Sequence, residues 1–262
     1  MSDLGIAVIT GASSGIGASF ATRYAQKGYD LLLVARRGDR LAAMAENLRS
    51  ETGVGVETFV ADLGNAGDLT RLETRLAEIP VTALVNNAGV GALGPTSNVQ
   101  ADAQQALLNI NVIALTRLSL AAIQRFKAAG RGTLINIASV MALMPSAGGG
   151  AYSGSKAYVL NFSRSLGLEL AGSGIGVHVV MPGPVRTEFF SSQGLNDAVF
   201  PDSSYVSADD LVKAVFAGVD QDEEVITPTL SSPEIWRDYE IARSAFMREV
   251  MGGEIAAQYK VG

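Results

Sequence analysis

The sequence of 262 residues contains no cysteine and one histidine, His178. The absence of cysteine excludes disulfide scaffolds, thiolate zinc sites, iron–sulfur clusters and cysteine nucleophiles. A single histidine excludes a multi-histidine metal site, and a hydrolase with a Ser-His-Asp triad would have to use His178 itself. We therefore predict that the protein has no metal site and that His178 is a strand residue rather than a catalyst.

Positive charge is scarce, since 20 Lys and Arg face 26 Asp and Glu, a net charge of −6. Such a chain lacks the basic surface of a nucleic-acid-binding protein. Thr116, Arg117 and Ser119 interrupt the most apolar stretch, Val112–Ala122, so no run reaches the roughly 18 apolar residues of a membrane-spanning helix. The N-terminus carries Asp3 and no basic segment, unlike a secretory signal. These absences predict a cytoplasmic protein with no nucleic-acid or membrane partner.

Short apolar runs alternate with longer stretches of helical periodicity. Seven runs have the length and composition of strands: Ile6–Thr10, Leu31–Ala35, Val54–Val60, Thr82–Val85, Thr133–Ala138, Val177–Met181 and Val225–Thr227. Uninterrupted apolar strands between helices are typical of a parallel sheet covered on both faces. We predict one domain over residues 1–262, an α/β three-layer sandwich with a Rossmann-like, doubly wound, parallel seven-stranded sheet. The alternative is a helical bundle.

A glycine-rich turn follows the first strand candidate, with the sequence Thr10-Gly11-Ala12-Ser13-Ser14-Gly15-Ile16-Gly17. Glycines between a strand and a helix permit a tight turn and let backbone N–H groups approach a pyrophosphate at the helix N-terminus. The turn therefore indicates a dinucleotide site, and a purely structural turn is the alternative.

The second strand candidate ends at Ala35-Arg36-Arg37. Dinucleotide-binding folds often place an acid about 20 residues beyond the glycines to hold the ribose 2′-hydroxyl, or an arginine to accept a 2′-phosphate. Ala35 stands in the place of the acid, and a guanidinium binds phosphate in bidentate fashion. We predict that Arg36, with a smaller share from Arg37, selects NADP(H). The alternative is a solvated charge at the start of a helix.

Tyr152 and Lys156 lie four residues apart and would share one face of a helix. A free phenol has a pKa near 10, and lowering it by about three units requires about 4 kcal/mol. An ammonium roughly 4 Å away supplies about that much at an effective dielectric constant near 20. The pair therefore predicts a tyrosine that exchanges a proton near neutral pH. An ordinary surface pair is the alternative.

Other polar residues follow the predicted strands at their carboxyl ends, where doubly wound folds bind ligands. Ser139 follows the run Thr133–Ala138 and could donate a hydrogen bond to a substrate oxygen. Asn86-Asn87-Ala88-Gly89 follows another strand candidate at the same edge. Asn111 stands inside an apolar helical stretch, where a buried amide must find partners. Its alternative role is to bend the helix or to join a polar network in the core.

Taken together, these motifs resemble the short-chain dehydrogenase/reductase family, in its single-domain branch of about 250 residues. The resemblance rests on Thr10–Gly17, Asn86–Gly89, Ser139, Tyr152-x-x-x-Lys156 and Pro182-Gly183-Pro184-Val185-Arg186-Thr187, and covers about residues 5–190. It implies a catalytic group of Asn111, Ser139, Tyr152 and Lys156. It also implies a dinucleotide site formed by Gly11, Ser13, Ser14, Ile16, Gly17, Arg36, Arg37, Asp62, Leu63, Asn87, Ala88, Gly89, Tyr152, Lys156, Pro182, Gly183, Val185 and Thr187.

In such a site, Tyr152 is the general acid/base and Lys156 lowers its pKa and binds the nicotinamide ribose. Asn111 helps to hold a water of the proton relay. The expected activity is NADP(H)-dependent hydride transfer between a ketone or aldehyde and an alcohol, with NADPH preferred over NADH. An isomerase or epimerase that retains its dinucleotide, and a regulatory protein without turnover, are the alternatives. The resemblance further implies a homodimer or homotetramer, and residues 189–205 correspond to its variable substrate lid.

Overall fold

The structure, a computed structural model, describes residues 2–92, 94–95, 97–191 and 200–260. The chain divides into two compact units, residues 1–228 and 229–262. One domain over the whole chain stays a prediction.

Seven parallel strands form the central sheet of the first unit. They are β1 (Ile6–Thr10), β2 (Asp30–Ala35), β3 (Val56–Val60), β4 (Val81–Asn86), β5 (Gly132–Ile137), β6 (Ile175–Val180) and β9 (Val225–Ile226). Their order in the sheet is β3-β2-β1-β4-β5-β6-β9. Two further short strands, β7 (Val185–Arg186) and β8 (Val206–Ser207), pair with each other in parallel. Each of the seven strands predicted from the sequence is present in the central sheet, within three residues at either end.

Helices cover both faces of this sheet. They are α1 (Gly15–Gln26), α2 (Gly38–Thr52), α3 (Ala66–Glu78), α4 (Ala101–Leu108), α5 (Leu115–Ala129), α6 (Gly150–Leu170) and α7 (Ala208–Asp220). One apolar cluster joins the sheet to α1, α2 and α7, and a second joins the opposite face to α3, α5 and α6. The predicted three-layer α/β sandwich with a doubly wound, seven-stranded parallel sheet is confirmed.

The two clusters explain why the strands are continuous apolar runs. Successive side chains of a strand point to opposite faces of its sheet. In β1, Ala7 and Ile9 belong to the first cluster and Val8 belongs to the second. Because both faces are buried, no position in the middle of β1 tolerates a polar side chain without a partner. His178 lies on β6, as predicted, and its Nδ1 is 2.7 Å from the carbonyl oxygen of Glu223.

The helical stretch from residue 101 to residue 129 contains one change of winding. A π-helical segment, Asn109–Ala114, separates α4 from α5 and includes Asn111. By length and composition alone, this stretch is apolar enough to cross a membrane, in contrast to the expectation from the sequence. In the structure, however, Leu118, Ala122 and Phe126 are buried against the sheet, as in the core helix of a globular domain.

The second unit is built around α8 (Pro233–Val250). Its N-cap is Ser232, whose hydroxyl accepts the N–H of Glu234 at 3.2 Å, with Pro233 in the first helical position. The rings of Trp236 and Tyr239 stack with centroids 5.2 Å apart.

Candidate active site

The predicted site residues gather where the parallel strands β1, β4, β5 and β6 end. The side-chain oxygen of Thr10, the last residue of β1, accepts the N–H groups of Asn87 at 2.9 Å and Ala88 at 3.0 Å. On the other side, the N–H of Val140 donates to the carbonyl oxygen of Pro182 at 3.1 Å. These bonds join the loops after β1 and β4 and the loops after β5 and β6, at the carboxyl edge of the sheet, where open α/β sheets bind ligands.

The glycine-rich turn brings the backbone close to Asn87 and leads into an uncapped helix. Gly11 has a φ of +65°, and a Cβ there would come within 2.8 Å of Nδ2 of Asn87, so only glycine fits. Helix α1 starts at Gly15 behind its N-cap Ser14, and within the described residues no side chain caps it and no acid stands in its first turn. The helix therefore presents N–H groups and the positive end of its dipole to an anion.

Arg37, rather than Arg36, is the guanidinium that contacts this turn. Its Nε and Nη2 donate to the hydroxyl of Ser13 at 3.2 and 3.0 Å, and Nη2 also donates to the hydroxyl of Ser14 at 2.7 Å. Arg36 is exposed at the end of β2. Both arginines therefore lie at the carboxyl edge of the sheet, and Arg37 links the end of β2 to the glycine-rich turn.

The residues predicted to meet the adenine and the middle of a dinucleotide follow β3 and β4. Asp62 is exposed and its Oδ1 accepts the N–H of Gly64 at 2.9 Å, whereas the neighbouring Leu63 is buried. Gly89 is close to the predicted catalytic group. A Cβ at Gly89 would lie 3.4 Å from Oδ1 of Asn111 and 3.7 Å from Nζ of Lys156. The absence of a side chain at Gly89 keeps the space beside that lysine open.

Tyr152 and Ser139 meet at the end of β5. Tyr152 is in the first turn of α6, and the Ser139 side chain is near enough to its hydroxyl to lower the pKa of the phenol. The Ser139 oxygen also accepts the N–H of Met141 at 3.2 Å. Because this N–H occupies one lone pair of Ser139, its own O–H remains available to donate to another oxygen.

Lys156 lies one turn further along α6 and is buried. Its Nζ donates to the carbonyl oxygen of Ile137 at 2.8 Å and is 5.7 Å from the centroid of the Tyr152 ring. Burial lowers the pKa of Lys156 to about 8. The ammonium has three donors, so two N–H groups remain for a ligand after the bond to Ile137.

The pKa of Tyr152 departs from the expectation based on the sequence. Burial raises it to about 12, and the Ser139 side chain lowers it only in part. The expectation that Lys156 brings this pKa near neutrality is wrong for the protein alone. The ammonium is bonded to a backbone carbonyl instead of the phenol, and the phenolate would be desolvated. The phenol is therefore a neutral proton donor at pH 7.

Asn111 connects the π-helical segment to both sides of the site. Its Nδ2 donates to the carbonyl oxygen of Val90 at 2.9 Å and to the hydroxyl of Ser155 at 3.2 Å, while its Oδ1 accepts the N–H of Val90 at 2.9 Å. The Ser155 hydroxyl in turn donates to the carbonyl oxygen of Tyr152 at 2.7 Å. The side chain thus fixes the loop after β4 against α6, and its predicted role in holding a water stays a prediction.

The segment after β6 runs from the catalytic group to the glycine-rich turn. Pro182 is bonded to Val140 beside Ser139, and Val185 is buried in β7. Thr187 packs on the turn, since a Cβ at Gly15 would lie 2.9 Å from Cγ2 of Thr187. The predicted contacts of residues 182–187 with the nicotinamide stay a prediction, but the segment borders both ends of the proposed dinucleotide site.

A series of aromatic rings extends from Tyr152 along the predicted lid. Phe189 lies 5.8 Å from Tyr152 between ring centroids, and the series continues through Phe190, Phe200 and Tyr205 at 5.4, 6.1 and 6.2 Å. A cavity of about 160 Å³ is lined by Val185, Arg186, Thr187, Phe190 and Tyr205. Residues 192–199 of the predicted lid lie outside the described residues.

Three residues of this region were given no role of their own by the sequence. Thr10 and Ser155 fix loops through side-chain bonds, and Glu188 accepts bonds from two arginines on the opposite side of the turn. The arginine partners of Glu188 are 151 and 148 residues away along the chain. No local pattern marks a contact at that separation, whereas a threonine at the end of a strand beside a glycine-rich turn is a signal that could have identified Thr10.

Comparison with known proteins identifies the family. A family model described as short chain dehydrogenase matches residues 5–197. The chain belongs to this family. A solved short-chain dehydrogenase from Sphingobium yanoikuyae in complex with NADPH is 40% identical, with a TM-score of 0.93 over 97% of this chain and 99% of that one. The bulky-bulky ketone specific alcohol dehydrogenase from Comamonas testosteroni is 37% identical, with a TM-score of 0.89 over 98% and 99%.

A curated relative, sulfoacetaldehyde reductase 2 from Chromohalobacter salexigens, is 33% identical over 82% of this chain and 88% of its own length. The protein is therefore an oxidoreductase of the short-chain dehydrogenase family that acts on CH–OH groups and binds a nicotinamide dinucleotide. The family and the enzyme class predicted from the sequence are confirmed.

Proposed function

We propose that this short-chain dehydrogenase interconverts a bulky, largely apolar ketone or aldehyde and its alcohol with NADP(H), and that Tyr152 is the general acid/base. The position of Tyr152 in the first turn of α6, near Ser139 and with Nζ of Lys156 5.7 Å from its ring centroid, carries the proposal. It places a proton donor near a second hydroxyl, so one carbonyl oxygen can accept a hydrogen bond from each.

In the reductive direction, the neutral phenol of Tyr152 transfers its proton to the carbonyl oxygen, which becomes the alcohol hydroxyl. The Ser139 O–H holds the same oxygen and stabilises negative charge that develops on it. The ammonium of Lys156 stabilises the phenolate that remains. In the oxidative direction, the phenolate removes the proton of the alcohol, so the raised pKa of Tyr152 favours the reductive role in the protein alone.

The dinucleotide would lie along the carboxyl edge of the sheet. The turn from Gly11 to Gly17 and the N-terminus of α1 would hold its pyrophosphate, and Arg37 with the exposed Arg36 would hold a 2′-phosphate. The free N–H groups of Lys156 would bind the nicotinamide ribose. When bound, the nicotinamide supplies the hydride donor or acceptor for the substrate carbon.

The surroundings of Tyr152 favour an apolar substrate. Phe189 packs against its ring, and the turn after Ser139 presents Val140, Leu143 and Met144 as exposed apolar side chains. The specificity of the Comamonas relative for bulky-bulky ketones supports the same class.

The name of the Chromohalobacter relative indicates that its substrate is a small anionic aldehyde. Such a substrate would need a free cation near the reacting oxygen. Arg186 is paired with Asp202 at 3.2 Å and covers the ring of Tyr205. An anionic substrate would therefore have to displace Asp202 from this arginine.

The direct test is a panel of carbonyl compounds with NADPH or NADH, followed by the absorbance of the reduced nicotinamide. We expect turnover of aryl and branched ketones with NADPH and little turnover of sulfoacetaldehyde. Turnover of sulfoacetaldehyde alone would contradict the substrate class. Conversion of a hydroxy substrate without net change in the dinucleotide would favour the isomerase alternative, and dinucleotide binding without any turnover would favour the regulatory one.

A further inference from the structure

Glu188 bridges two arginines beside the proposed dinucleotide site. Its Oε2 accepts a hydrogen bond from Nη1 of Arg37 at 2.8 Å, and its Oε1 accepts one from Nη1 of Arg40 at 2.8 Å. These two bonds hold the pKa of Glu188 below its usual value, so the carboxylate is ionised at neutral pH. An anion of the protein itself therefore already occupies donors of both guanidinium groups.

Arg37 is the guanidinium that faces the glycine-rich turn. Its Nε and Nη2 hydrogens are directed at the hydroxyls of Ser13 and Ser14, and Nη1 is directed at Glu188. A phosphate that binds Arg37 has to share or take the Nη1 donors, because those on the other side of the fork are engaged by hydroxyls. Glu188 and an incoming phosphate thus both have to bind at Nη1 of Arg37.

We propose that Glu188 is a specificity-determining residue that competes with the 2′-phosphate of NADP(H) for Arg37 and Arg40 and so limits the preference for NADP(H) over NAD(H). This rests on the proposed function, in which the 2′-phosphate binds at Arg37. With Glu188 in place, the phosphate meets a net charge of +1 from the three side chains. With Glu188 displaced, it meets +2, and the repulsion between two anions is removed.

The competition for Arg37 also affects the packing on Tyr152, because Glu188 and Phe189 are consecutive residues. The Phe189 ring packs on Tyr152, and its N–H donates to the hydroxyl of Thr187 at 3.3 Å. Displacement of the Glu188 carboxylate therefore releases one anchor of residues 187–191, the segment that covers the Tyr152 ring. Occupation of the phosphate site at one end of the dinucleotide loosens the cover at the other end.

The test measures binding without turnover. Titration calorimetry with adenosine 2′,5′-bisphosphate and with 5′-AMP compares the wild-type protein, Glu188→Gln and Glu57→Gln. The last is a matched control, because Glu57 forms a similar ion pair with Arg75 at 2.6 Å on β3, away from the glycine-rich turn. We expect Glu188→Gln to bind the bisphosphate about two- to fivefold more tightly, with AMP binding and the control unchanged.

The opposite role for Glu188 would be to position the two arginines for the phosphate. In that case, Glu188→Gln would bind the bisphosphate more weakly than the wild type, and this result would overturn the competition. Equal affinity would overturn it as well. Unchanged affinity for AMP shows that the variant remains folded with an intact adenosine site.

Hydrogen–deuterium exchange tests the connection to Tyr152. We expect the bisphosphate, but not AMP, to raise the exchange of residues 187–191 in the wild type. In Glu188→Gln this exchange should be high before any ligand is added. If the bisphosphate lowers the exchange of this segment or leaves it unchanged in the wild type, the release of the cover does not occur.

Binding data separate the role of Glu188 from the NADP site itself. If the wild type binds the bisphosphate no more tightly than AMP, and Arg37→Ala changes neither, the proposed NADP site is wrong and the role of Glu188 falls with it. If the wild type prefers the bisphosphate but Glu188→Gln does not bind it more tightly, only the competition is wrong.

Discussion

The ammonium nitrogen of Lys156 lies 5.7 Å from the centroid of the Tyr152 ring and is bonded to the carbonyl oxygen of Ile137. Burial raises the pKa of Tyr152 to about 12 and lowers the pKa of Lys156 to about 8, so at pH 7 a neutral phenol lies beside a charged ammonium. We therefore expect the effect of substituting Lys156 to depend on pH.

Lys156→Ala should slow ketone reduction at pH 7 by about tenfold or more, because the ammonium that stabilises the phenolate left by proton transfer is lost. The pKa of Lys156 is about 8, so the wild type carries this charge at pH 7 and loses most of it at pH 9. The ratio of wild-type to variant kcat should therefore shrink between these pH values, with the exposed Lys127→Ala as the control. An equal ratio at both pH values would show that Lys156 does not act on the phenol.

The stability of the protein should depend on pH because Lys156 is buried. Burial lowers the pKa of Lys156 from 10.5 to about 8 in the folded protein. Between these values the unfolded chain holds a proton that the folded chain lacks, so this contribution to stability rises with pH and is lost as pH falls through about 8.

Denaturant unfolding should therefore show that the wild type gains stability relative to Lys156→Met as the pH rises. The free energy of unfolding of the wild type, relative to the variant, should rise by about 2 kcal/mol between pH 8 and pH 10. A relative stability that falls over this range would mean that the ammonium is favoured by folding, contrary to its burial.

The choice of dinucleotide should depend on both arginines after β2. We expect NADPH to be preferred over NADH by at least about tenfold in kcat/KM, since hydrogen bonds to charged groups contribute about 1.5–3 kcal/mol. Arg36→Ala and Arg37→Ala should each reduce this ratio, mainly through the KM for NADPH, and leave NADH kinetics nearly unchanged. Equal use of NADPH and NADH by the wild type would show that neither arginine selects the dinucleotide.

Exposed apolar side chains on α5, α6 and the π-helical segment predict self-association. Ile113 is 47% exposed, Leu120 is 48% exposed and Leu168 is 80% exposed. Helices that are apolar on more than one face need burial on both sides. We expect a dimer or tetramer by light scattering at micromolar concentration, and dissociation in Leu120→Glu with Leu168→Glu. A monomeric wild type would contradict this prediction.

The fold was predictable because its signals are local. The central strands are apolar runs, apart from the alternating edge strand β3, and the site residues follow such runs at positions that a parallel sheet brings to one edge. The placement of Tyr152 and Lys156 on one face of α6 likewise follows from helical spacing alone. Patterns within about ten residues therefore carried most of the architecture and the position of the site.

Properties that depend on distant residues were not predictable in the same way. The raised pKa of Tyr152 results from burial by several elements, and burial is not visible in a spacing of four residues. The contact of Arg37, rather than Arg36, with Ser13 depends on how β2 ends beside the glycine-rich turn. The bridge from Glu188 to Arg37 joins residues 151 apart, so only the folded chain reveals it.

The kinetics of Tyr152→Phe test the central claim most directly, because the substitution removes the proton donor and keeps the ring against Phe189. The matched control is Tyr158→Phe on the same helix, whose hydroxyl is 2.9 Å from that of Thr116. We expect kcat for ketone reduction to fall about 10²–10⁴-fold in Tyr152→Phe, with calorimetric affinity for NADPH nearly unchanged and the control active. A Tyr152→Phe enzyme that retains more than about a tenth of the wild-type kcat would contradict the assignment of Tyr152 as the general acid/base.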